Sequence, residues 1–434
     1  GGPVSGVDYV VELKIDGVSA SLTYKNGFFS IGATRGDGET GEDVTHNLKT
    51  IRTVPLRLLG EEIPELIEIR GEVYIDRGEF VKLNKEREDK GEELFVNPRN
   101  AASGSLKLLD PRLASRRRLN FFAHSLGWVK DFDFKSHWEF LNKLNGWGIR
   151  LNTHSKLCGG LDEVIAYCKF WEERRDSLTY DIDGVVVKVN SILQEKELGA
   201  TLKSPRWAIA YKFAARQATT EVLKININVG RTGVITPACE LRPVECAGVT
   251  ISHATLHNFD EIKRLNVRVG DSVLIERAGD VIPKVVKVVK RAGKDDFRPP
   301  KNCPACLSPV VKEKEEDVAY RCINPFCPAQ LERGVSHFAS KSAMDIEGLG
   351  ESAVSQLIRL KLISSFSDIY RLTKNDLRKL DLFKEKKIGN LLSAISRSKT
   401  RPLSRLIYAL GIRHVGEKAA FVLAREFQSL DELV

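Results

Sequence analysis

The sequence predicts a multidomain α+β chain, on three observations. At 434 residues the chain is too long for one ordinary domain and is sized for three or four. Its hydrophobic pattern changes character along the way: strands and helices mix over residues 1–218, short strands dominate residues 219–298, and helices fill residues 331–434. Residues 299–330 hold a cluster of four cysteines. The expected order is therefore a mixed α+β domain, a small β-barrel, a cysteine module and a helical domain.

In the first domain, apolar and β-branched runs at residues 9–13, 20–24 and 28–31 predict strands, with Lys25-Asn26-Gly27 as a hairpin turn between the last two. Further strands are expected over residues 66–74 and 183–190, and helices over residues 79–90, 136–147 and 161–173. In the barrel region, strands are expected over residues 220–229, 234–241, 272–277 and 284–289. The intervening glycines suit a barrel of the oligonucleotide-binding type. Residues 294–301 read as a linker rich in proline and charge.

Hydrophobic residues make up 42% and charged residues 29% of the chain, which excludes a disordered or fibrous protein. No apolar run is long enough to span a bilayer and no secretory leader pattern opens the chain, so a cytoplasmic location is expected. Cys158, Cys168, Cys239 and Cys246 are scattered while the other four are clustered, a pattern that argues for metal rather than disulfides. The formal charge of +9 is uneven: residues 371–425 hold 14 basic and 4 acidic side chains, enough to account for all of it. That is the electrostatic footprint of a polyanion-binding surface. The first residue is Gly1 and the single methionine is Met344, so the sequence is expected to be a portion of a longer protein.

The most informative segment is Glu12-Leu13-Lys14-Ile15-Asp16-Gly17, a lysine at a strand end ahead of an acid and a turn glycine. A lysine attacks phosphorus only as the free amine, which burial or a neighbouring cation favours, and the product is a nucleotide held through a P–N bond. The chain also carries Ala33-Thr34-Arg35-Gly36-Asp37-Gly38, Arg70-Gly71-Glu72-Val73 and Asn97-Pro98-Arg99-Asn100-Ala101-Ala102-Ser103-Gly104-Ser105-Leu106. Asp183-Gly184-Val185-Val186-Val187-Lys188 and Trp207-Ala208-Ile209-Ala210-Tyr211-Lys212-Phe213 follow. In this order and spacing the segments resemble the motifs of the covalent nucleotidyltransferases, and of the bacterial NAD⁺-dependent DNA ligases in particular. The resemblance extends over essentially the whole chain.

It implies that Lys14 is the nucleophile that takes AMP from NAD⁺. It places Glu12 at the adenine, reading the exocyclic amine, and Asp16, Glu72 and Asp183 around the lysine and the ribose, where some would help hold Mg²⁺ or Mn²⁺. Lys188 and Lys212 are expected on the α-phosphate, stabilising transition-state charge. Arg35 belongs with the nucleotide, and Arg99, Lys107, Arg175 and Arg206 with nicked DNA. Two positions depart from the family pattern. Lys107 stands where arginine is common, which turns a forked contact into a point charge, and His124 stands where tyrosine often stacks on adenine.

The implied architecture is a nucleotidyltransferase (ATP-grasp-like ligase) domain, an OB-fold β-barrel, a small four-cysteine zinc finger and a helix-hairpin-helix α domain. Three barrel segments resemble the family: Gly230-Arg231-Thr232-Gly233, Ser252-His253-Ala254-Thr255-Leu256-His257-Asn258 and Arg277-Ala278-Gly279-Asp280-Val281-Ile282-Pro283, with Arg231 on the DNA backbone. Cys303, Cys306, Cys322 and Cys327 have the spacing C-x₂-C-x₁₅-C-x₄-C, which closes a tetrahedral, structural Zn²⁺ site. Ile346-Glu347-Gly348-Leu349-Gly350 and Gly411-Ile412-Arg413-His414-Val415-Gly416 resemble hairpins whose glycines (Gly348, Gly350, Gly416) open a helix N-terminus to DNA phosphate. A middle unit, Leu382-Phe383-Lys384-Glu385-Lys386-Lys387-Ile388, lacks those glycines and is expected to lean on its lysines.

The implied reaction seals 5′-phosphate/3′-hydroxyl nicks in duplex DNA during replication and repair, in the bacterial cytoplasm at the nucleoid. The family also carries an N-terminal segment for the nicotinamide mononucleotide half of NAD⁺, a further hairpin unit and a terminal BRCT domain. This sequence is expected to lack all three: to bind AMP and nicked DNA as a monomer away from membranes, but to adenylate poorly from NAD⁺. ATP-dependent ligases and capping enzymes share the lysine motif but typically lack a four-cysteine module. A DNA-binding protein with a dead catalytic domain would have lost charge at Lys14, Lys188 or Lys212, and none is lost.

Overall fold

The structure, a computed structural model, describes residues 6–433 except 37, 39, 202–203, 247–248, 278–282, 294, 313 and 315–316. The chain divides into two compact units, one built on Gly1–Arg216 and the other chiefly on Gln217–Cys246, Thr250–Glu276 and Ile282–Val434.

The strands of the first unit are β1 (Tyr9–Ile15), β2 (Val18–Lys25), β3 (Phe28–Thr34), β4 (Leu66–Tyr74), β5 (Asn120–Val129), β6 (Lys156–Cys158), β7 (Ile182–Val189) and β8 (Ala208–Lys212). They form two four-stranded sheets, in the orders β6-β1-β7-β8 and β3-β2-β4-β5. Asn26 and Gly27 both take positive φ between β2 and β3, the backbone that a two-residue hairpin requires. In the first sheet the period of two decides everything downstream. Val11, Leu13 and Ile15 of β1 and Val185 and Val187 of β7 share a core with Val164, Cys168 and Trp171 of the helix Leu161–Arg174. Glu12 and Lys14 are thereby turned to the opposite face. In the second sheet, a side chain on Gly71 would come within 2.2 Å of the Phe121 ring and 2.3 Å of the Phe122 carbonyl, so glycine is what lets β4 and β5 close beside Glu72.

The second unit opens with β9 (Arg216–Val229), β10 (Ile235–Cys246), β11 (Val249–Thr255), β12 (Ser272–Arg277) and β13 (Lys284–Lys290), closed into a barrel in the order β10-β11-β13-β12-β9. Sequence reading did not propose β11, whose Ser252 and His253 dilute the apolar signal although Val249, Ile251 and Ala254 are buried. Nor did it propose the helix Phe259–Leu265, whose cap Asn258 accepts from the Glu261 N–H at 2.7 Å. Of the segment 277–283, residues 278–282 lie outside the described residues. The cysteine module adds β14 (Val310–Val311) and β15 (Arg321–Cys322), joined to the barrel by Ile235 N–H to Tyr320 O at 2.8 Å and Cys322 N–H to Gly233 O at 2.9 Å. Cys327 caps the helix Pro328–Ala339, which begins inside the residues expected to belong to the cysteine module because proline suits a first helical position. The helices beyond pack on Val335, Phe338, Leu357, Leu377 and Leu391. Among the described residues, no helix is long and apolar enough to cross a membrane.

Candidate nucleotide and metal sites

Lys14, Gly184 and Lys212 are register partners on the neighbouring strands β1, β7 and β8. A side chain on Gly184 would lie 2.1 Å from the Tyr211 carbonyl, so the glycine after Asp183 is what admits β8 and its lysine. Lys14 Nζ donates to both carboxylate oxygens of Asp183, at 2.8 and 3.0 Å, and Lys212 Nζ stands 3.4 Å from Oδ2 of the same group. Lys212 is 56% exposed, so this end is open to a ligand. The next turn adds Asp16, whose backbone N–H donates to Asp181 O at 2.9 Å and whose Oδ1 is 3.2 Å from Arg99 Nη1. Glu72 accepts from Ser19 Oγ at 2.8 Å. Burial pushes its carboxyl up to about 7, against the pull of Ser19, Lys14 and Arg99.

Two residues back along the same face of β1, a spacing of about 7 Å, lies a different environment. Glu12 is buried, with its Oε2 2.5 Å from Lys188 Nζ and 3.2 Å from His137 Nε2. Burial alone would raise this carboxyl, but Lys188 and His137 outweigh it and hold it at about 2. Lys188 Nζ also donates to His124 O and, at 3.2 Å, to Ser125 Oγ. The structure therefore brings Lys188 to Glu12: its register partner on β1 is Val10, four residues from Lys14. Of the two lysines expected on the α-phosphate, Lys212 stands in the row of Lys14, while Lys188 stands beside Glu12 at the buried end. His124 bonds Ser125 Oγ through Nδ1 at 2.9 Å and keeps 39% of its side chain exposed, with Nε2 3.9 Å from Glu72. Desolvation and Lys188 hold its imidazole below the usual range. His137, Ser19 and Ser125 were not singled out from sequence. A histidine next to a helix cap carries no local signal of the charges that meet it in the fold.

The remaining expected contacts are spread around this centre. Lys107 Nζ is 2.5 Å from Glu42 Oε2. Arg175 donates to Ala214 O at 3.2 Å and lies over the Phe213 ring. Arg35 and Arg206 are exposed and form no ion pair among the described residues. In the second unit Arg231 is exposed on its barrel loop, and a side chain on Gly411 would fall 2.5 Å from Arg231 Nη1, so this guanidinium rests on the 411–416 hairpin.

The sulfurs of Cys303, Cys306, Cys322 and Cys327 all lie within 4.8 Å of one another, with Cys303–Cys327 at 3.9 Å and Cys306–Cys322 at 3.5 Å. Zinc–sulfur bonds of about 2.3 Å in a tetrahedron put sulfurs about 3.8 Å apart, so the four cysteines fit a zinc ion that fills its coordination with protein. The three hairpins share one backbone. Gly348, Leu382 and His414 take positive φ, and Gly350, Lys384 and Gly416 are extended caps of the helices Glu351–Arg359, Glu385–Ser398 and Glu417–Glu426. The middle unit thus keeps the geometry without the glycines. None of the three caps uses a side chain, which leaves first-turn N–H groups without a side-chain acceptor from the cap.

Family sequence profiles match most of the chain. The NAD-dependent DNA ligase adenylation domain matches residues 3–216, the NAD-dependent DNA ligase OB-fold domain 219–296, the NAD-dependent DNA ligase C4 zinc finger domain 302–329, and a helix-hairpin-helix motif 405–434. Among curated proteins, the DNA ligase of Endomicrobium trichonymphae is 54% identical over 426 residues, covering 98% of this chain and 63% of that protein. The DNA ligases of Geobacter sulfurreducens and Bacillus cereus (strain B4264) are 52% and 50% identical, covering 98% and 99% of this chain and 64% of each relative. The chain spans just under two thirds of the length of these relatives.

Proposed function

Because the chain belongs to the NAD-dependent DNA ligase family, we propose that it carries the core of an enzyme that seals 5′-phosphate/3′-hydroxyl nicks in duplex DNA, with Lys14 as the covalent nucleophile. The observation that carries this reading is the row Lys14–Asp183–Lys212 on three adjacent strands, two residues along β1 from the buried Glu12–Lys188 pair. A nucleotide laid along β1 has its base at the buried end and its α-phosphate at the open one. Lys14 Nζ attacks the α-phosphorus of NAD⁺; a P–N bond forms, and the P–O bond to nicotinamide mononucleotide breaks. Asp183, the carboxylate facing the amine, is placed to accept the proton. Lys212 meets the charge that develops on phosphorus. AMP then passes to the 5′-phosphate of the nick, and the 3′-hydroxyl displaces it.

Glu72 and Asp183 offer the hard oxygens that a Mg²⁺ or Mn²⁺ ion prefers, and such an ion supplies positive charge at the phosphate when bound. Residues 1–218, 219–298, 299–330 and 331–434 are assigned to adenylation, barrel, zinc and hairpin domains respectively. The basic stretch 371–425 and the three hairpins support binding of DNA through its phosphates, without base reading, with Arg99, Lys107, Arg175, Arg206 and Arg231 as further contacts. One copy of the chain holds every residue named for the reaction, which supports action as a monomer, and the bacterial relatives support a place at chromosomal DNA in the cytoplasm.

The test is intact mass after incubation with Mg²⁺ and a pre-adenylated nicked duplex. The wild type is expected to gain one AMP by reverse transfer and Lys14→Ala to gain none. An equal gain in both would remove Lys14 from the role, and DNA binding with neither sealing nor transfer would favour a binding protein.

A further inference from the structure

Resting on that reading of the site, we propose that His137 is a positioning residue that sets which purine the base end accepts, holding Glu12 and Lys188 for a 6-amino rather than a 6-oxo ring. His137 is 3% exposed, and its Nε2 stands 3.2 Å from Glu12 Oε2 and 3.2 Å from Lys188 Nζ, while these two groups are 2.5 Å apart. Its place is fixed by the backbone: its N–H donates to Asn190 O at 2.8 Å, the Trp138 N–H donates to Asn190 Oδ1 at 3.0 Å, and Ser136 caps the helix through the Glu139 N–H at 3.1 Å.

A neutral imidazole nitrogen either donates or accepts. Nε2 therefore serves Glu12 with a proton or Lys188 with a lone pair, never both. Lys188 already has Glu12, His124 O and Ser125 Oγ as acceptors, so the proton on Nε2 belongs to the bond with Glu12. Glu12 Oε2 is then filled from two sides, and Oε1, which has no partner among the described residues, is held as a pure acceptor. A 6-amino purine meets it with an N–H. In the same pose a 6-oxo purine turns the lone pairs of its O6 to it and leaves an acceptor covered by the base without a proton, which is the situation a polar pocket rejects most strongly. Without His137 the carboxylate loses one of its two anchors, and the distinction between the rings weakens.

Titration calorimetry with AMP and with IMP on the wild type, His137→Leu and His137→Gln tests this. The wild type is expected to prefer AMP by at least about tenfold, since a mismatched buried hydrogen bond costs that or more. His137→Leu should bring the two affinities within about threefold, chiefly by weakening AMP. His137→Gln, whose amide nitrogen reaches the place of Nε2, should recover most of the preference. Parallel losses for AMP and IMP in His137→Leu, with the ratio intact, would show a purely structural role and overturn the inference. Should His137→Leu give no cooperative melt, His137→Asn, too short to reach Glu12, is read against the same two outcomes. A wild type that binds AMP and IMP equally also overturns the inference while leaving the ligase reading in place. A wild type that binds neither overturns the nucleotide-site reading itself.

Discussion

Lys188 and Lys212 carry the same expected task in the sequence, yet the fold gives them opposite surroundings. Lys188 is 4% exposed and bonded to Glu12, His124 and Ser125; Lys212 is 56% exposed, and among the described residues its amine pairs with the far oxygen of Asp183 alone. The strand register makes the difference: Lys212 pairs with Gly184 in the row of Lys14, and Lys188 lies four residues along β7. A buried pair is part of the architecture and is costly to break. An open one is free to exchange its partner for a ligand's phosphate. The site thus has a buried end and an open one, which the proposed reading assigns to recognition and to chemistry.

The largest effect that would break this comparison is on stability. Lys188→Met leaves Glu12 buried without its main partner and is expected to cost about 3–5 kcal/mol. Lys212→Met removes an exposed contact and should cost less than about 1 kcal/mol. Urea unfolding of the two variants decides it, and equal losses would mean that the ends do not differ in kind. A smaller effect sharpens the picture at the border between them. The carboxyl of Glu72 is raised to about 7 in the folded chain from an ordinary 4.5. The folded state therefore holds a proton that the unfolded state has released, and the wild type loses stability as pH rises between those values. Glu72→Gln should abolish that part of the slope, worth up to about 3 kcal/mol, and unfolding at pH 4.5 and pH 7.5 compares the two. Identical slopes would place Glu72 in a wetter setting than its burial implies.

How far the sequence shows all this depends on what each feature is made of. The row of Lys14, Asp183 and Lys212 was legible through the family motifs that hold these residues, and the glycines at 71 and 184 mark close strand approaches. The four cysteines were legible from spacing alone. The middle unit was legible in place but not in backbone: Leu382 takes a positive φ that usually costs a side chain about 1–2 kcal/mol, so composition pointed away from a geometry that tertiary packing nevertheless imposes. The burial of Lys188 beside Glu12 was not legible, because alternation tells the face of a residue and not its row. His137 left no trace, because its importance comes from a helix and two strands distant in sequence meeting around one nitrogen.

The most direct test of a recognition end and a chemistry end pairs two quantities in one set of variants: affinity for adenosine, which has a base but no phosphate, and the rate of AMP transfer from a pre-adenylated nick to Lys14. Lys188→Met is predicted to weaken adenosine at least about tenfold, as loss of a buried charged partner should. Lys212→Met is predicted to leave adenosine within about twofold while slowing transfer by about 10² or more, the scale of losing one transition-state charge contact. Loss of adenosine affinity in Lys212→Met, or unchanged affinity in Lys188→Met, would contradict the account.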